Sequence, residues 1–420
     1  MEASQVEASV VIEWKRTLYI MVFAQMISVI GFSCVFPFLP LYVKSLGTVT
    51  SLSVEVCIGL VYSGQAFTMV IASPIWGWLS DRRGRKLMVQ RAMLGGAVIV
   101  EMMAFAASAE QLVALRAVQG MVSGVIGAAN ALVAASVPRE HVGFAMGLLQ
   151  VGMGVGLGLG PVIGGTVADA FGYRAVFHVT AGLLSIAFVV VFWGVEERFV
   201  KPQTGRKRSG FFSGWGRVLS APGVLVVFCL RFLNSMGRMI FMPILPMFIL
   251  PLIDKLQGGN GLTGIVIGIS SAATAIFAVF LGRLGDRTGH RRTLIICLLC
   301  CFVSFVLQSQ VVNYRQLLVL QIIYGIALGG IIPGISALLA CTTTQGDEGS
   351  VYGLDNSINA AGRTIAPLIG VGISVWFGLR AVFNAAGLLY LLAALFALIA
   401  LRGVDDNKAC KTIRGPGHIT

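Results

Sequence analysis

Phe171-Gly172-Tyr173-Arg174-Ala175-Val176-Phe177 returns 206 residues later as Phe377-Gly378-Leu379-Arg380-Ala381-Val382-Phe383. The same offset carries Pro37-Phe38-Leu39-Pro40 onto Pro243-Ile244-Leu245-Pro246. A third pair, the basic turn from Gly77 to Lys86 (GWLSDRRGRK) and the turn from Gly282 to Arg292 (GRLGDRTGHRR), is offset by 205. These phrases sit at the ends of long apolar runs, so one apolar unit occurs twice, in parallel. Two halves related in this way can enclose a site at mid-membrane, a plan common among carriers.

Composition identifies the solvent. Hydrophobic residues make up 56% of the chain and charged residues 12%, with a mean hydropathy of +0.86, whereas soluble domains carry about 25% charge. Nearly all of the chain is expected in lipid. A formal charge of +13 would suggest a polyanion-binding face in a soluble protein. Here the bases occupy short loops between apolar runs of roughly 20 residues or more, each long enough to cross a bilayer as a helix. The excess is topological, and no nucleic-acid partner is expected.

The runs predict an all-α integral membrane protein of twelve spans, at about 17–43, 55–79, 87–108, 111–137, 142–169, 174–194, 222–250, 261–284, 292–310, 315–340, 349–377 and 379–402. They form two pseudo-symmetric six-helix halves, 17–195 and 222–402, with an N-terminus at 1–16, a basic linker at 196–221 and a tail at 403–420. Arg82, Arg83, Arg85 and Lys86 share a side with the linker bases Arg198, Lys201, Arg206, Lys207, Arg208 and Arg217 and with Arg287, Arg291 and Arg292. Opposite loops hold only Lys44, Arg174, Lys255, Arg315 and Arg380. The positive-inside rule then places both termini in the cytoplasm of a multi-pass protein of the inner (cell) membrane.

No cleavable signal peptide is expected, because the first apolar run is too long for a signal core and stays as the first span. Phe211, Phe212 and Trp215 beside the linker bases fit either a short amphipathic helix on the cytoplasmic lipid face or a disordered tether. The tail is expected to be disordered. Cys297, Cys300 and Cys301 lie in an apolar run without histidines at ligand spacing and read as packing, so no metal is expected. His141, His178, His290 and His418 are scattered.

Three motifs resemble those of the major facilitator superfamily. Gly77-x-Leu79-x-Asp81-Arg82-Arg83-Gly84-Arg85-Lys86 resembles its cytoplasmic signature loop, which Asp286 and Arg287 echo in the second half. Leu112 to Ala128, with Arg116, Gln119, Gly120 and Gly124, resembles its fourth-helix motif. Gly152, Gly156, Gly160-Pro161 and Gly164-Gly165 match the fifth-helix motif associated with its antiporters. Trp14-Lys15-Arg16, Pro37 to Val43 and Asn130-Ala131-Leu132 are most similar to the MdtG-like group of twelve-helix drug:proton antiporters.

Each motif also has a physical reading. Gly84 permits a tight turn, and the bases hold it at the anionic leaflet. Asp81 can cap the third helix or reach the N-terminus of the eleventh near Gly349 to Tyr352; the resemblance implies the second, a latch on the cytoplasmic side. Glycines 152, 156 and 160 form a smooth stripe for close helix packing, and Pro161 bends the helix. The resemblance implies an exporter. The second half keeps only Ala366-Pro367-x-x-Gly370-Val371, so symmetric roles for helices 5 and 11 are not expected. The segment has no strict dinucleotide fingerprint and no preceding strand, which argues against an enzyme.

Charges inside spans are expensive and mark function. They are Glu101, Arg116, Arg231, Arg238, Asp355 and Arg363. Arg231 and Arg238 share a helix face with Asn234, while Asn356, Asn359 and Arg363 share an arc that Asp355 can join. This suggests a wall with excess positive charge, suited to anionic, zwitterionic or neutral amphiphiles; the alternative is that these arginines are satisfied by carbonyls or reach the interface. Proton coupling needs an acid that changes charge, and Glu101 and Asp355 are the candidates beside Arg116. An ion pair of Glu101 with Arg116 across the hairpin of helices 3 and 4 is one arrangement, and a structural role for Glu101 is another. Further candidates for substrate contact are Gln25, Ser33, Gln65, Asn130 and Tyr324.

The expectation is a monomeric, cofactor-free exporter of small amphipathic compounds or drugs, driven by protons and in contact with lipid. The alternatives are an uptake carrier or facilitator of the same fold, or a membrane sensor that does not transport.

Overall fold

The computed structural model describes residues 2–197, 223–253, 258–342 and 348–401, and every regular element among them is helical. In the first half these are α1 (Glu2–Cys34), α2 (Leu39–Leu46), α3 (Val54–Arg83), α4 (Arg85–Ala104), α5 (Ala109–Val122), α6 (Val125–Ser136), α7 (Val142–Phe171) and α8 (Tyr173–Gly194). In the second they are α9 (Val224–Ile240), α10 (Leu245–Ile249), α11 (Gly259–Thr288), α12 (His290–Ser309), α13 (Tyr314–Thr342), α14 (Glu348–Phe377) and α15 (Leu379–Ala400). Among the described residues, eleven helices are long and apolar enough to cross a membrane. The bent pair Val224–Ile240 and Leu245–Leu252, at 47°, makes the twelfth. The fold is that of twelve membrane spans.

Proline explains two breaks. Pro37 and Pro243 have no N–H to continue the helical ladder, and the first and seventh spans stop there. The chain bridges both gaps in the same way. Leu39 N donates to Val35 O (3.2 Å) and Tyr42 N to Phe38 O (2.9 Å), while Leu245 N donates to Phe241 O (2.9 Å) and Phe248 N to Ile244 O (2.9 Å). The second repeated phrase is also a turn. Gly172 (φ 83°, ψ 168°) and Gly378 (φ 85°, ψ 166°) lie in a region costly for any residue with a Cβ. They join α7 to α8 and α14 to α15, two closing helices of 22 residues each.

Two further details are seen only in the structure. Helix α1 runs from Glu2 straight through the stretch read as a separate N-terminus. The fourth span is broken at Ser123–Gly124, where Gly124 adopts φ 129°, although no proline stands there. The linker with Phe211, Phe212 and Trp215, and the C-terminal tail, lie outside the described residues.

Contacts divide the chain into two units, Met1–Thr204 with Lys255–Gly268, and Gly205–Asp254 with Ile269–Thr420. In the first, α1 packs on α7 and α8, α3 on α5, and α4 on α8; in the second, α9 packs on α14 and α12 on α13 and α15. Trp14, Leu18, Met21 and Ala24, at helical spacing on α1, are buried with Ala92 and Met93 of α4, Ala129 and Leu132 of α6, and Ala187 and Val191 of α8. In lipid such contacts hold by van der Waals packing, because hydrocarbon tails already solvate the apolar side chains. Phe171, Trp376 and Phe377 are exposed at the Gly172 and Gly378 ends of their helices, and Phe192 and Trp193 at the other end of α8, as interfacial aromatics are.

Candidate functional site

The glycine stripe of α7 faces α1. A methyl group on Gly156 would meet Val29, one on Gly160 would meet Ser33, and one on Gly164 the carbonyl of Cys34, where α1 stops. Removing side chains lets the two backbones approach. Ser33 Oγ then reaches across to Gly156 O (2.9 Å), and Gln25 Nε2 to Leu149 O (3.3 Å). Both candidate substrate contacts are buried here and join α1 to α7. The second half repeats this closely. Gly362 of α14 meets Ser235 and the Phe232 carbonyl, and Gly370 meets the Ile240 carbonyl, where α9 stops. The seams are thus more alike than their letters. The unrepeated Gly165, replaced by Val371, faces Asn260 and Gly261 of α11 instead.

The signature turn is anchored by a residue that the sequence reading missed. Glu197 Oε1 accepts from Arg85 N and Oε2 from Lys86 N, both at 2.8 Å, closing off the first turn of α4 next to Gly84 (φ 97°). Lys86 Nζ donates to Phe192 O (2.9 Å) of α8. Glu196 and Glu197 read as the start of a polar linker, and local pattern does not announce a partner 112 residues away. Gly77 and Arg82 are exposed in or beside this turn, and the side chain of Asp81, with its expected latch, lies outside what the structure describes. In the copy, exposed Asp286 pairs with His290 at 3.1 Å and Arg287 is exposed.

Arg116 and Glu101 do not meet. The buried Arg116 donates from Nη1 to Gln65 Oε1 (3.2 Å) and Gln119 Oε1 (2.8 Å), and its Nε and Nη2 have no partner among the described residues. Glu101 turns outward from α4 and pairs with His178 Nδ1 of α8 at 2.8 Å, with both side chains over 40% exposed (42% and 48%). The hairpin places the two residues on different faces, so of the arrangements left open the structure has the one without their ion pair. Asn130, beyond the break after Val122, is half-buried.

In the second unit the arginines separate into two kinds. Arg231 Nε binds Asp355 Oδ1 at 2.8 Å, and its Nη2 binds Ser336 Oγ at 3.1 Å. Arg238 and Arg363 are both partly buried, and among the described residues neither is paired with a carboxylate. Tyr324 and Tyr390 lie near Arg238, their hydroxyls 3.4 Å apart. Asn234 is buried with no partner for its Oδ1 among the described residues, Asn359 O accepts from Ser235 Oγ (2.7 Å), and Asn356 is exposed. No group of acids, histidines or cysteines able to hold a metal occurs among the described residues.

Comparison with known proteins agrees with this architecture. The model of the Major Facilitator Superfamily matches residues 21–230 and 227–416. The multidrug resistance protein MdtG of Erwinia billingiae is 36% identical over 95% of this chain and 97% of its own. That of Serratia proteamaculans is 34% identical over 92% and 94%. A bacterial homologue of the human lysosomal transporter Spinster superposes with a TM-score of 0.79 over 94% of this chain and 98% of that one, at 14% identity, which speaks for the fold alone. The chain belongs to the Major Facilitator Superfamily, in its MdtG-like group, and is a membrane transporter rather than an enzyme.

Proposed function

We propose that this protein exports small amphipathic compounds in exchange for protons, by alternating access, from a cell whose cytoplasm holds both termini. The name of its relatives, multidrug resistance proteins, supports drugs as substrates. One observation carries the substrate class: Arg116, Arg238 and Arg363 lie inside spans without a paired carboxylate among the described residues. A cation held at such depth is stabilised by an opposite charge, and an acidic group on the substrate supplies one. Anionic and zwitterionic amphiphiles are therefore favoured over simple cations. Asp355 is the better coupling acid of the two candidates, because it lies inside a span in a nearly buried ion pair with Arg231, whereas Glu101 is exposed.

Purified protein in liposomes, under an imposed pH gradient, tests this with matched solutes carrying a carboxylate, a zwitterion or a quaternary amine. Gradient-driven movement of the first two, faster than of the third, is expected. Movement of cations alone would overturn the substrate class, and movement indifferent to the gradient would overturn proton exchange.

A further inference from the structure

One carboxylate in the first unit holds the start of a helix to which it does not belong. Asp169 stands in the last turn of α7, and α11 opens beside it. Its Oδ1 accepts from Asn260 N (3.3 Å) and Asn260 Nδ2 (2.7 Å), and its Oδ2 accepts from Gly261 N (2.7 Å). The first N–H groups of a helix have no partner within it and carry partial positive charge, so a carboxylate there binds by hydrogen bonds and by field together.

Around this cap the backbones interlock. A methyl group on Gly165 would meet the backbone of Asn260 and Gly261, one on Gly264 the Pro161 carbonyl, and one on Gly268 the Gly158 carbonyl and the Val162 side chain. These contacts fall in residues 255–268, which group with the first unit, whereas the rest of α11 from Ile269 groups with the second. A single helix thus has its opening turns held in one unit and its remainder in the other.

The duplication supplies an internal control. At the offset of 206, Asp169 corresponds to Val375 and Gly165 to Val371; along α3 and α11, where the offset is 205, Asn260 and Gly261 correspond to Glu55 and Val56. The counterpart of α11 is α3, and α3 is capped by its own Ser53, whose Oγ accepts from Val56 N (3.4 Å). The architecture therefore does not require a cap borrowed from another helix. Its presence in one copy only calls for a role outside folding.

We propose that Asp169 is a gating residue, whose carboxylate clasps the first turn of α11 to α7 and keeps closed the face of the protein opposite its termini. Opening of that face requires α11 to leave the carboxylate. This rests on the alternating-access reading above, but its test needs no substrate.

Val162, whose side chain packs on Gly268, reports on the seam. In full-length protein with its eight cysteines replaced, Val162→Cys is labelled in sealed right-side-out vesicles by a membrane-impermeant thiol reagent. Asp169→Ala should raise the labelling rate on the order of tenfold, the change expected when hydrogen bonds to a charged group are lost. Asp169→Asn keeps one acceptor oxygen and should fall between, which also answers the case in which the alanine variant fails to fold. Equal rates in the parent and in the folded variants would overturn the clasp. Faster labelling in a protein that moves no solute under any gradient would leave the clasp standing and remove the exporter reading.

Discussion

Asp355 and Arg231 show how one contact separates two roles for a charge. Their side chains are only about a tenth exposed (11% and 12%) at 2.8 Å, and removing one member of such a pair costs about 3–5 kcal/mol by stranding the other. Asp355→Asn should lower the melting temperature of the solubilised protein and abolish gradient-driven export. Pairing it with Arg231→Met should restore most of the melting temperature but not the coupling. Recovery of both would make the pair purely structural. Glu101 is the opposite case, since its bond to His178 is exposed and such pairs contribute roughly 0–1 kcal/mol. Glu101→Gln is expected to keep its stability and its response to the gradient, and a loss of that response would return Glu101 to the coupling site. Sequence listed both acids as equals, because depth along a helix is legible from the chain but the face that a residue turns toward is not.

At the scale of the element, the seam between α1 and α7 and that between α9 and α14 make matching demands. Gly164→Ala and Gly370→Ala each drive a methyl group into the carbonyl at which the neighbouring helix stops, and overpacking of this kind costs typically 1–3 kcal/mol. Both variants should lose stability by similar amounts in thermal unfolding. A tolerant Gly370 would show that the second seam is looser than the first. Glu197→Ala should cost about 1 kcal/mol through the lost cap on α4, read in the same assay. The PxLP phrases carry the signal of the proline breaks in the first and seventh spans, since proline removes a donor wherever it stands, but the apolar runs 17–43 and 222–250 continue through them and hide it. The break at Ser123–Gly124 has no such mark. This chain has 52 glycines, most of them inside continuous helices, so a further glycine in an apolar run carries no signal of a break.

For the whole molecule, the repeated phrases gave the architecture almost completely, because each marks a turn or a break whose backbone geometry only certain residues allow. What they could not give is the pairing between distant elements, such as Glu197 with the signature turn or Asp169 with α11. The duplication has one more consequence, through α8 and α15. Each closes its half, and each has 22 residues, a length of about 33 Å at 1.5 Å per residue. With aromatics exposed at the Gly172 and Gly378 ends, these two helices, one in each half, are cut to the same bilayer thickness. Lipids with shorter or longer tails must then strain both halves together, so turnover measured against acyl-chain length should pass through a single, narrow maximum rather than a plateau.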